Sequence, residues 1–135
     1  MDSLKLEIVT PHGLVFSGEA DEVTVAGTEG EFGVLPGHAP LMATLKIGIL
    51  VAKTGGKQQY FFVNSGYAEA GPDKVLIMAD SAERAEDISL ERALAARQRA
   101  EERLKKQENV DFARAESALE RATSRIQIAE RHVAK

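Results

Sequence analysis

No cysteine occurs among the 135 residues, so disulfides, thiolate metal sites and thiol catalysis are excluded. No apolar run approaches the ~20 residues that cross a bilayer. The opening Met1-Asp2-Ser3-Leu4-Lys5 lacks the apolar core of a secretion signal. The expected setting is a reducing compartment, with any membrane association made through partners. Histidine is scarce, and His12, His38 and His132 fall at spacings that form no metal motif. Neither a G-x-S-x-G elbow nor a Walker loop is present: the glycine-rich stretch from Gly27 to Gly33 has no Lys-Ser/Thr and helix behind it. Asp21-Glu22 reads as surface charge at a turn, and His38, flanked by Gly37 and Ala39-Pro40, as a loop-bracing hydrogen-bonder. No catalytic or metal site is expected; the residues supply binding surfaces.

Glycine and proline are missing from everything after Pro72, although the chain holds eleven of one and four of the other. Charge divides at nearly the same place. Residues 1–83 carry five lysines, no arginine and eleven acids, a balance of −6; residues 84–135 carry nine arginines, three lysines and ten acids, a balance of +2. Eleven alanines crowd the second segment. Such a shift marks two structural units, placed at 1–84 and 85–135. A chain of this size buries roughly two-thirds of its unfolded surface, enough to fold without staples.

In the first unit short apolar stretches alternate with turn formers. Leu4-Lys5-Leu6-Glu7-Ile8 alternates up to Pro11-His12-Gly13, and Glu22-Val23-Thr24-Val25 alternates up to Gly27. Leu45 to Ala52 runs on to Gly55-Gly56, Tyr60-Phe61-Phe62-Val63 to Asn64-Ser65-Gly66, and Val75-Leu76-Ile77-Met78 forms the last strand. Ser17-Gly18 reads as a further turn. β-Branched and aromatic residues between turn signals about every ten positions predict a β-sandwich or barrel. No helical crossover is available to build a parallel sheet.

The second unit reads as two antiparallel helices, giving an α+β fold: a jelly-roll-like sandwich followed by a hairpin. Asp87 or Ser89 can cap the first helix and Asp111 the second, with Asn109 suited to a left-handed turn between them. Leu90, Ala93, Leu94, Ala100 and Leu104 project onto one stripe; Ala115, Ala118, Leu119, Ala122, Ile126, Ala129 and Val133 onto another. Both are alanine-rich and bury little area, so the hairpin is expected to be thin and able to detach without unfolding the sandwich. Arg92, Arg99 and Arg103 recur at spacings of 7 and 4, within about 40° on a helix, and Arg114, Arg121 and Arg125 repeat that spacing. Three readings stay open for these rows: solvated charge, a docking face for an acidic partner, or a grip on a polyanion such as a nucleotide phosphate. Nucleic acid is disfavoured, because the segment is only +2 and offers a single aromatic, Phe112, for stacking.

One stretch is unlike generic turn sequence. Gly27-Thr28-Glu29-Gly30-Glu31-Phe32-Gly33-Val34-Leu35-Pro36-Gly37-His38-Ala39-Pro40-Leu41 resembles the signature of the epsilon subunit of F-type ATP synthases, called delta in mitochondria. Leu6-Glu7-Ile8-Val9-Thr10-Pro11 resembles that family's first strand, and Phe62-Val63-Asn64-Ser65-Gly66-Tyr67-Ala68 its later strand pair. The resemblance extends over essentially the whole chain. It implies a non-catalytic subunit of the central stalk, coupling proton flow to ATP synthesis. The sandwich would clamp the gamma subunit and rest on the c-subunit ring, with Glu29, Glu31 and His38 on the contacting loops. The hairpin would fold against the sandwich or extend to the alpha/beta catalytic head and inhibit ATP hydrolysis. Arg92, Arg99, Arg103, Arg114, Arg121 and Arg125 are candidates for the head contact.

Some bacterial members hold ATP in the folded hairpin through Ile/Leu-Asp-x-x-Arg-Ala. The similar stretch here is Ile88-Ser89-Leu90-Glu91-Arg92-Ala93, with Ser89 in place of the aspartate. Arg99 and Arg125 would flank the phosphates. Loss of the charged acceptor predicts weak ATP binding or none, and no other cofactor is implied. The implied location is a bacterial cell membrane, peripheral on the cytoplasmic side and reached only through the complex; the lack of a transit peptide favours a bacterial source over an organelle. The alternative is a free-standing β-sandwich binding module whose hairpin is an oligomerisation arm, which would not co-purify with a membrane ATPase.

Overall fold

A computed structural model describes residues 3–106 and 111–133. Eight strands come first: β1 (Leu4–Thr10), β2 (Gly13–Ala20), β3 (Glu22–Gly27), β4 (Gly30–Val34), β5 (Leu41–Leu45), β6 (Gly48–Thr54), β7 (Lys57–Ala70) and β8 (Lys74–Arg84). A short 3-10 turn, Ala85–Asp87, leads into α1 (Leu90–Lys105) and α2 (Phe112–Val133). The strands pair in the order β2-β1-β8-β7-β5-β3-β4, with β6 bonded to both β3 and β7. They form a sandwich whose core draws on all eight, including Leu6, Ile8, Val23, Val25, Leu50, Phe61 and Ile77. The α+β arrangement read from the sequence is therefore present. Asn109, the expected turn residue, lies outside the described residues.

One pairing departs from expectation. β1 and β8 run parallel, joining Lys5 to Lys74 and Val9 to Met78. Parallel neighbours need a long connection, and six intervening strands supply it in place of a helix.

Two expected turns are also absorbed into strands. Ser17-Gly18 lies inside β2, and Asn64-Ser65-Gly66 inside β7. β7 buries Phe61 and Val63 before this point and Ala68 and Ala70 after it. That change from odd to even positions breaks the period of two and needs an irregular backbone. Ser65 and Gly66 provide it, with φ of 55° and 131°. A strand and a turn signal thus coexist in the same residues.

The helices show why apolar runs appear in the sandwich. On β7 the side chains of Phe61 and Val63 face the core, whereas Tyr60 and Phe62 face outward to α2. Ile49, opposite Phe62 in the β6–β7 register, joins them. Strands covered on both faces lose their alternation. Ser89 caps α1 by accepting the Arg92 N–H at 3.2 Å, and Asp111 caps α2 by accepting the Arg114 N–H at 3.1 Å. The stripe on α1 is turned from the one projected: Ala93 and Ala100 are buried, but Leu90 and Leu94 remain 36% and 40% exposed. Alanines, being small, let the two helix backbones approach, and the leucines are displaced to the flank.

Gly66 makes a test. A Cβ there would collide with the Met78 carbonyl oxygen, and its φ of 131° strains any L side chain. Gly66→Ala is expected to cost ~3 kcal/mol, combining overpacking and backbone strain, read as a lowered urea midpoint.

Candidate functional site

Arg125, Ile128 and Arg131 lie at intervals of three along α2 and form the face it lays on the sandwich. Ile128 is fully buried against Phe62 and Ala85, with Ile47, Ile49, Tyr60 and Ile88 packed around them. The Arg125 guanidinium sits 4.4 Å above the Phe62 ring, and Arg131 sits 5.6 Å above Tyr60. Arg125 Nε also donates to Glu83 Oε1 at 2.5 Å. Glu83 stands directly opposite Phe62 in the β7–β8 register, so one guanidinium covers both members of a cross-strand pair.

Beside this contact a cavity of about 250 Å³ opens between the hairpin and the end of β8. Its lining includes Ile88, Ser89, Arg92, Ala93, Arg99 and Arg125, so all six residues selected for nucleotide binding come together. Glu83 and Asp87 line it as well. Three cations therefore meet two carboxylates, and Arg125 already has its partner. The volume lies below the ~300–1,000 Å³ usual for small-molecule sites. The cavity can receive an anionic group near Arg92 and Arg99. The Ser89 hydroxyl is engaged at the helix cap.

The arginine rows do not act as units. Arg92, Arg99 and Arg125 reach the cavity, while Arg103 and Arg114 are exposed in the turns at the other end of the hairpin. Arg121 is half-buried one turn before Arg125 and does not line the cavity.

On the sandwich, Glu29 and Glu31 belong to the β3–β4 hairpin, which Thr28 ties to β5 through a 2.6 Å contact between its hydroxyl and that of Thr44. Glu29 and Glu31 are exposed. His38 lies beyond the far end of β4, beside the β7–β8 turn: Gly37 N–H donates to the Pro72 carbonyl at 2.7 Å. His38 Nδ1 lies 2.6 Å from the Ala39 carbonyl, bracing the loop as expected. Asp21 is more than surface charge, because its carboxylate accepts the Gly55 N–H at 2.8 Å.

Among the described residues, α2 packs on β7, β6 and the 3-10 turn, which leaves the outer face of β5, the end of β7, β8, β1 and β2 away from the main helix contacts. Register places Thr44, Tyr67, Met78, Val9 and Leu14 in one row across these strands. Tyr67 and Leu14 are 52% and 61% exposed, and neighbouring Met42 is 63% exposed. Adjacent to the row, Lys74 hydrogen-bonds Glu7 at 3.1 Å and holds its carboxyl below the usual carboxylate value. Sequence reasoning passed over this row because its members are scattered along the chain and meet only through strand pairing. It also passed over Ile128, Glu83 and Arg131. A signal was available for Ile128: it and Ile126 are ~200° apart on a helix, so α2 must bury two faces. Among the described residues, no group of three or more His, Asp or Glu side chains is arranged to hold a metal, and no helix is long and apolar enough to cross a membrane.

Comparison with known proteins places this architecture. Residues 3–85 match the family described as ATP synthase, Delta/Epsilon chain, beta-sandwich domain, and residues 86–130 its long alpha-helix domain. ATP synthase epsilon chains of Geotalea uraniireducens, Nitratidesulfovibrio vulgaris and Halalkalibacterium halodurans are 53%, 52% and 47% identical over 130, 127 and 133 residues. These alignments cover 95%, 93% and 97% of this chain and 94%, 95% and 100% of the relatives. Among solved structures, a chain of the Euglena gracilis mitochondrial ATP synthase, in an assembly of OSCP, F1 and c-ring, superposes with a TM-score of 0.81 at 22% identity, covering 100% of this chain and 83% of that one. A chain of the Tetrahymena thermophila central stalk and c-ring superposes at 0.56 with 11% identity, covering 96% and 95%. The sandwich, the two packed helices and the sequence identity along both agree: this chain belongs to the ATP synthase delta/epsilon family, as a non-catalytic epsilon chain of the F-type enzyme.

Proposed function

We propose that the two units divide the work of a rotor subunit. The sandwich seats on the gamma subunit of the central stalk and on the c-subunit ring, and the hairpin regulates ATP hydrolysis at the alpha/beta head. The observation that supports this reading is the asymmetry of the sandwich: α2 covers one outer face, whereas the row of Leu14, Val9, Met78, Tyr67 and Thr44 lies bare on another. An apolar surface rimmed by polar groups such as Glu7, Glu69 and Lys74 suits a protein interface. Glu29 and Glu31, exposed on a glycine hairpin, suit a polar contact with the ring, with His38 stiffening a second loop nearer the β7–β8 turn. Attachment to the cytoplasmic side of a bacterial membrane then follows from the complex.

The hairpin suits a regulatory role because α1 packs chiefly on α2, which in turn is held by the small Phe62–Ile128 cluster. Arg92, Arg99, Arg103, Arg114, Arg121 and Arg125 are carried away from the sandwich together when that cluster opens, offering a basic face to acidic segments of the head. In the closed state the Ser89 cavity disfavours ATP, since its carboxylates oppose phosphate and a neutral hydroxyl stands where related sites carry aspartate.

Four outcomes are expected. Tyr67→Glu places a charge in the bare row and is expected to weaken binding to purified gamma subunit at least tenfold, about the effect of losing one buried interface anchor, with the circular dichroism spectrum unchanged; undiminished binding would remove the row from the interface. Deleting the residues after Ala85 is expected to leave assembly of the complex intact while raising ATP hydrolysis; an unchanged rate argues against a brake. Calorimetry of the full chain is expected to detect no micromolar ATP affinity. Ser89→Asp, which preserves the helix cap, is expected to tighten any binding roughly ten- to a hundredfold, the worth of a charge-assisted hydrogen bond.

A further inference from the structure

A second cleft along α2, of about 260 Å³, opens where the helix passes the β5–β6 turn. Its lining carries Glu31, Lys46, Ser124, Gln127 and Arg131, together with Ala26 and Gly48. Ser124, Gln127 and Arg131 are spaced three and four apart, so they share one face of the helix. Ala26 pairs with Glu31 in the β3–β4 register, and its carbonyl accepts the Lys46 N–H at 3.1 Å. One strand position thus anchors both the acid and the base. A Cβ on Gly48 would lie 2.6 Å from that of Ala26, so only glycine fits here and no side chain from this position fills the cleft. We infer that this cleft is a binding site for hydrogen phosphate. The site is separate from the Ser89 cavity and does not depend on the stalk reading above.

The lining supplies the donors that such an anion needs. Lys46 and Arg131 are exposed, and the ion pairs among the described residues are those of Lys53, Lys74 and Arg125, so neither cation is neutralised by a carboxylate. Arg131 rests on the Tyr60 ring at 5.6 Å; stacking steadies a guanidinium and leaves its in-plane N–H groups to bond an oxyanion. The Ser124 hydroxyl and the Gln127 amide add neutral donors. Glu31 sets the selectivity. An ionised carboxylate only accepts hydrogen bonds, and hydrogen phosphate still carries an O–H to donate at neutral pH. Sulfate has no such proton and meets Glu31 only as a like charge, so the cleft favours phosphate over sulfate. The phosphodiester of a lipid headgroup lacks that proton as well, and Glu29 and the sandwich balance of −6 repel an anionic bilayer. The free ion is therefore the occupant.

The test titrates the full chain with inorganic phosphate at constant ionic strength and follows amide shifts by NMR. Saturable, low-millimolar binding is expected at Ile47, Gly48, Ser124 and Gln127. Sulfate is expected to bind roughly tenfold more weakly, and Glu31→Gln to erase that difference, which is about the worth of one charge-assisted hydrogen bond partly screened by water. Lys46→Gln and Arg131→Gln are each expected to weaken phosphate binding roughly three- to tenfold. Lys46 lies off the helix, so its variant decides the matter if Arg131→Gln disturbs the packing of α2. Lys105→Gln, at the far end of α1, is the control and is expected to change nothing. Shifts that never saturate, that sulfate reproduces at equal strength, or that survive both Lys46→Gln and Arg131→Gln overturn the site. Sedimentation with phosphatidylglycerol vesicles is expected to leave the chain in the supernatant. Co-sedimentation that Lys46→Gln abolishes, without saturable binding of free phosphate, assigns the cations to a headgroup and overturns the phosphate site.

Discussion

The two halves of the molecule meet on the outer face of β7. Phe62 points away from the sandwich core, and a fully apolar ring there is tolerable only beneath a cover; α2 provides it with Ile128 and the plane of Arg125. Much of the architecture follows from that need. β6 carries Ile49 beside Phe62, so the run from Ile47 to Val51 loses the alternation expected of a strand wetted on one side. α2 carries apolar residues on two faces, one for α1 and one for the sandwich. α1, with its alanine stripe, stays in place largely because α2 does. The contact is small and partly ionic.

The sandwich was legible in the residues because strands with one wet face alternate and glycine and proline punctuate them. Ser89 and Asp111 were legible as caps for a local reason too: a hydroxyl or carboxylate three residues before a free N–H needs no tertiary information. What escaped depended on how distant segments pair. Thr44, Tyr67, Met78, Val9 and Leu14 form a row only through four strand registers. Ser65-Gly66 has the composition of a turn, and only the parity of the buried positions on either side reveals a kink inside one long strand. Leu90 and Leu94 share the projected stripe but not the buried one: where two helices approach through alanine, the larger side chains move to the edge.

The six residues chosen for a nucleotide site did converge on one cavity, but their chemistry differed from that implied by their names. A motif counts the cations that could hold a phosphate; it does not count the carboxylates that the fold brings from another strand. Glu83 is on β8 and Asp87 in the 3-10 turn, and both face the same space as Arg92 and Arg99. The spaced arginines likewise divide among unlike settings, from the aromatic contact of Arg125 to the open hairpin end at Arg103 and Arg114. Regular spacing establishes a common direction on a helix, and the surroundings then give each member its own task.

The parallel seam between β1 and β8 bears on how the chain is made. During synthesis the first strand emerges long before the eighth, and its second edge stays open until Lys74 to Met78 have left the ribosome. A contact of such range closes a large loop, which slows folding. Nascent chains therefore pass through a stage with an apolar strand edge unsealed, the kind of surface that invites mispairing with another copy. The hairpin leaves the ribosome only after the seam can close, so it is added to a body already complete.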